Sequence, residues 1–139
     1  MKSIRAFALP VFLGLFTLHS AGAACPRLEG KYWCMDERRG ELDLLTIGHR
    51  VLASGVHEYS FDYSTIPGDP DIVRADARGI PDGEGWITKC SRDDRLVSIT
   101  REGDRMSVLR LDREHALVRE FNEQVVQRCP RKQSPYRHR

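Results

Sequence analysis

Hydrophobic and polar positions alternate in short runs along most of this chain. The clearest run is Glu58 to Ser64, where Tyr59, Phe61 and Tyr63 interleave with Glu58, Ser60, Asp62 and Ser64. A period of two puts the aromatics on one face of a half-buried strand and the polar side chains on the other. Pro67-Gly68-Asp69-Pro70 ends that run. Comparable strand patterns cover Lys31 to Met35, Leu42 to Ile47, Ile72 to Ala77, Trp86 to Ser91, Leu96 to Arg101, Met106 to Leu111, Leu117 to Phe121 and Val125 to Cys129. Gly48-His49-Arg50 reads as a break after Ile47, with Val51 to Ala53 as a short continuation. The apolar phase changes between Met106/Val108 and Leu109/Leu111, which predicts a bulge in that strand. Charged or glycine-rich turns separate the runs, and no helix is expected after residue 24. The pattern predicts one all-β domain of about eight or nine antiparallel strands, an up-and-down meander closed or nearly closed into a barrel.

The N-terminus adds a compartment. Met1 to Ala23 has the form of a signal peptide: Lys2 and Arg5 ahead of an apolar run, Ala6 to Leu18, then Ala21-Gly22-Ala23 as a cleavage site. The apolar run is too short and too broken for a stable membrane span. The expected layout is leader 1–23, a single domain 24–130 and a basic flexible tail 131–139. Periplasmic or secreted placement follows from the leader.

Four cysteines in an exported chain imply two disulfides. Of the three pairings, Cys25–Cys129 with Cys34–Cys90 is the expected one, because it joins the chain ends and ties the first strand to the middle. Cys25 also follows small residues, so its lipidation stands as an alternative, with Gly22 where such signals usually carry Leu.

Charge narrows the partners. The chain has 22 Lys plus Arg and 20 Asp plus Glu, and two of the bases, Lys2 and Arg5, belong to the leader. The remainder is formally neutral, which argues against a nucleic-acid partner.

No catalytic motif is present, and the chain is read as a non-enzyme. His49, His57, His115 and His138 form no metal-ligand pattern, so neither a metal nor a cofactor is expected. The candidate ligand-binding residues are Tyr59, Phe61, Tyr63 and Trp86. Inside a barrel they would line a cavity for an apolar ligand, with phenol groups fixing its orientation. The competing reading is plain core filling.

Three resemblances bear on function. Gly30-Lys31-Tyr32 on the first strand resembles the Gly-x-Trp opening of lipocalin-type barrels, which implies an aromatic side chain across the closed end, near an Arg of the last strand; Arg128 is the expected counterpart. The opening Cys25-Pro26-Arg27-Leu28-Glu29-Gly30-Lys31-Tyr32-Trp33-Cys34 is similar in layout to small secreted β proteins of Gram-negative bacteria, a likeness that supplies no activity. Ser54, Gly55 and Tyr59, after Tyr32-Trp33-Cys34, resemble the Ser-Gly-x-x-Tyr loop of c-type lysozyme inhibitors, with a spacing one residue longer. The expected function is an exported, non-catalytic binding module for a small apolar ligand or a protein partner. The alternative is a secreted enzyme inhibitor using Ser54, Gly55 and Tyr59.

Overall fold

The computed structural model describes residues 25–66 and 68–133 of the chain. The expected leader, residues 1–23, lies outside the described residues. Ten strands run in order: β1 (Gly30–Asp36), β2 (Glu41–Val51), β3 (His57–Tyr63), β4 (Asp71–Ala75), β5 (Ile80–Pro81), β6 (Trp86–Cys90), β7 (Leu96–Thr100), β8 (Met106–Leu111), β9 (Leu117–Phe121) and β10 (Gln124–Cys129). The described residues contain no helix, hence none long and apolar enough to cross a membrane. Every strand pair is antiparallel and joins sequence neighbours, as the meander reading requires.

The ladder does not run unbroken. It forms a four-stranded sheet, β1-β2-β3-β4, and a six-stranded sheet, β10-β9-β8-β7-β6-β5. Single bridges join the two at both edges: Tyr32 with Arg131, and Asp76 with Lys89. Each interruption has a local cause. At the first edge Trp33 N–H donates to the Pro130 carbonyl at 2.8 Å, but proline has no N–H to return. At the second, the Asp76 carboxylate accepts from the backbone N–H groups of Arg78 and Gly79, which turns the chain away after one bridge.

Several sequence expectations need correction. β2 runs straight through Gly48-His49-Arg50. Glycine fits there because a Cβ would lie 2.5 Å from the Ser60 hydroxyl of the paired strand, which would have to rotate away. β8 has no bulge, since it keeps one register with both neighbours. The irregularity is instead in β10, between Val125 and Gln127. Arg131 and Lys132, expected in a flexible tail, lie along β1, with Lys132 N–H donating to the Lys31 carbonyl at 2.7 Å. The rest of that tail, 134–139, is outside the described residues.

The disulfides pair differently from expectation: Cys25 with Cys90 and Cys34 with Cys129. Register explains the second. The antiparallel bridge Tyr32–Arg131 places residue 34 directly opposite residue 129, with Cα atoms 4.6 Å apart, the spacing of a pair without mutual backbone bonds. Cys34 is thereby committed, and Cys25 takes Cys90. All four cysteines are bonded and buried, consistent with an oxidising compartment.

The core lies between the sheets. Leu28, Tyr32, Leu45 and Tyr59 are its fully buried large side chains, with Phe61, Leu96 and Leu117 beside them. The segment Cys25 to Glu29 precedes β1 and packs into this core. Its Leu28 is 0% exposed, and the Cys25–Cys90 bond anchors its end.

Candidate functional site

Strand alternation sends Tyr59, Phe61 and Tyr63 to one face of β3, as expected, but that face meets two environments. Tyr59 is fully buried, and its hydroxyl donates to the Pro26 carbonyl at 2.7 Å. Burial pushes its phenol pKa well above the ordinary range. Tyr32 does the same two strands away, on β1, donating to the Leu28 carbonyl at 2.7 Å. Burial raises its pKa, and the nearby Arg131 charge partly offsets this. Both phenols therefore satisfy backbone carbonyls of the entering segment, which are costly to leave unpaired when buried. The His49 ring stacks on Tyr59 with centroids 4.4 Å apart, and its Nε2 lies 2.8 Å from His57 Nδ1. This end is filled by side chains, so Tyr59 belongs to the core and lines none of the three cavities described below.

Toward Tyr63 the interior opens. Phe61 and Tyr63 line a cavity of about 180 Å³ together with Val73, Leu96, Leu109 and Arg119. Two larger cavities adjoin it. One, of about 340 Å³, shares Tyr63 and Arg119 and extends to Asp36, Asp43 and Gln127. The other, of about 450 Å³, shares Val73, Ser98 and Ser107 and extends to Trp86 and Pro81. The four candidate aromatics thus separate: Tyr59 is core, Phe61 sits on the boundary, Tyr63 faces the open end, and Trp86 lines the neighbouring space. Arg105 stands over the Trp86 ring, 5.4 Å from its centroid.

The sequence reading missed Arg119. Leu117-Val118-Arg119-Glu120 looks like a strand with a solvated charge pair. Phase alone did not decide it, because Leu117 and Val118 are both apolar and both buried; the cavity shows that Arg119, in phase with Leu117, faces inward. Glu120 faces the other way and pairs with Arg110 at 3.0 Å. Arg119 Nη2 donates to the Tyr63 hydroxyl at 3.3 Å, and among the described residues no carboxylate pairs with it.

Asp43, which lines the 340 Å³ cavity with Arg119, is otherwise engaged. Its carboxylate accepts from the Ser64 hydroxyl at 2.8 Å, the Thr65 hydroxyl at 2.6 Å and the Thr65 N–H at 3.1 Å. Burial alone would raise its pKa, but those hydrogen bonds outweigh it and hold the group below the ordinary carboxylate range.

Ser54 and Gly55 are exposed at the tip of the β2–β3 hairpin, where Gly55 N–H donates to the Leu52 carbonyl. Tyr59 is buried inside, so the three residues of the inhibitor-like loop do not share a surface. Arg128 does not approach Tyr32. It is an exposed residue that bonds Asp112 at 2.7 Å and Glu114 at 2.9 Å. Arg131 takes the expected place instead. A Cβ on Gly30, whose φ is +151°, would meet Arg131 Nη2 at 3.1 Å and the Tyr32 hydroxyl at 3.3 Å.

Compared with protein-family models, curated proteins and solved structures, the chain finds no match.

Proposed function

We propose that this protein is an exported, non-catalytic binding module that takes a small ligand with an apolar body into the open end of its interior. In this reading the two sheets curve into one lipocalin-like shell, and the bridges at both edges support that curvature. The leader directs export, and the two disulfides suit the periplasm or the extracellular space.

One observation carries the proposal. The interior is filled at one end, while at the other three cavities adjoin, and the one between Phe61, Val73, Leu96 and Leu109 joins an apolar wall to the polar groups of Tyr63, Ser98, Ser107 and Arg119, a composition that suits a small-molecule site. Ligand uptake can be tested with N-phenyl-1-naphthylamine, an uncharged fluorophore that brightens in apolar surroundings. Saturable one-to-one binding is expected, and Ser107→Leu, which fills the shared space, should abolish it. Binding that is non-saturable, or indifferent to Ser107→Leu in a folded variant, would remove the proposal.

A further inference from the structure

Arg119 is a half-buried cation that faces a cavity and has no carboxylate partner among the described residues. A half-buried guanidinium with no counter-charge leaves donors free for an anionic ligand. The nearby acids do not supply a counter-charge. Glu120 is on the opposite face with Arg110, Asp43 is bound by Ser64 and Thr65, and Asp71 is an exposed residue at the cavity rim. Of the guanidinium's five N–H donors, Arg119 spends one on the Tyr63 oxygen. The Tyr63 proton is left to donate elsewhere.

We propose that the ligand carries a carboxylate, held by Arg119 and the Tyr63 hydroxyl, with its apolar body against Phe61, Val73 and Leu109. This rests on the binding-module reading above and names the ligand class for that same cavity. The planar guanidinium matches a carboxylate with two parallel N–H···O bonds, and Tyr63 adds a third donor beside them. A monoanion suits the site better than a dianion. One cation lines this cavity, with Asp71 at its rim, and the adjoining space that Arg119 shares holds three acids, Asp36, Glu37 and Asp43, against one further base, Arg38. A phosphate monoester would bring a second negative charge toward those acids, whereas a carboxylate only neutralises Arg119. Phe61, Val73, Leu96 and Leu109 give the cavity an apolar part beside the arginine, so the ligand class is an amphiphile: a short alkyl or aryl carboxylic acid.

The test is calorimetric titration of the full folded chain, at neutral pH, with decanoate, decan-1-ol and decyl phosphate. Wild type should bind one decanoate on the order of 10- to 100-fold more tightly than decan-1-ol, the worth of hydrogen bonds to a charged group. Arg119→Gln should lose that preference while keeping decan-1-ol binding. Arg119→Lys, which retains the charge without the fork, should fall between, and it decides the matter if Arg119→Gln does not fold. Decan-1-ol binding without a preference for decanoate, or a preference unchanged in both variants, would overturn the carboxylate assignment and leave the cavity reading standing. Tighter binding of decyl phosphate than of decanoate would also overturn it. No binding of any of the three would remove the assignment and the cavity reading together.

Discussion

Tyr59 and Tyr63 lie four residues apart on the same face of the same strand, yet one is structure and the other is surface chemistry. Tyr59 sits where the segment Cys25 to Glu29 enters the fold. Its ring is enclosed and its hydroxyl is bound to Pro26. Tyr63 sits beyond the reach of that segment, and its hydroxyl meets Arg119 across an open space. The sequence alternation is the same for both. What separates them is a stretch of five residues before the first strand, stapled to β6, that fills one end of the interior and not the other.

Truncating the apolar anchor of each end should break this comparison most visibly. Leu28→Ala removes a fully buried side chain from the filled end and should cost about 2–5 kcal/mol. Leu109→Ala removes a partly buried one beside the cavity and should cost less, because little closes around it. Urea unfolding of the two variants checks the order. Equal losses would mean that both ends are packed alike.

The hydroxyls give a smaller contrast. Tyr59→Phe leaves the buried Pro26 carbonyl without its donor and should cost about 1–3 kcal/mol. Tyr63→Phe breaks a 3.3 Å contact at a site open to water, and its unfolding midpoint should stay within about 0.5 kcal/mol of wild type. A Tyr63→Phe loss as large as that of Tyr59→Phe would show Tyr63 to be part of the core.

The filled end should also carry a mild pH dependence. His49 has its pKa held below the ordinary 6.5, by burial first and then by the facing charges of His57 and Arg27, with Glu29 opposing. A histidine of this kind binds more protons unfolded than folded once the pH falls below its ordinary value. Stability is therefore full above pH 6.5, declines below it and levels off beneath the folded pKa. The slope for one proton is at most about 1.4 kcal/mol per pH unit. Melting temperatures between neutral and mildly acidic pH should fall in wild type and fall less in His49→Gln. Asp43 titrates in a lower window: its depressed pKa gives stability that is lost only as pH drops below the ordinary carboxylate range.

Much of the fold was legible because local signals decide it. The period-two run of β3 follows from the residues themselves, and asparagine suits the positive φ that Asn122 takes between β9 and β10. Long-range register was not legible. The pairing Cys34–Cys129 depends on how β10 lies against β1, which no local pattern encodes, and the break assigned at Gly48 dissolves only when Ser60 is placed opposite it. The site was half legible for the same reason. Alternation identified the aromatic face, but only the path of the N-terminal segment decides which aromatics it covers. Arg119 was hidden by its charge, and the adjacent apolar pair Leu117-Val118, buried on both sides of the strand, left its phase undecided.

The accessibility of the tyrosines tests the division of the interior most directly. Tetranitromethane nitrates phenols that solvent can reach, and peptide mapping assigns each modified site. In the native, disulfide-bonded protein, Tyr63 should be nitrated while Tyr32 and Tyr59 stay unmodified until the chain is unfolded. Protection of Tyr63 equal to that of Tyr59, or nitration of Tyr59 in the native protein, would contradict the account.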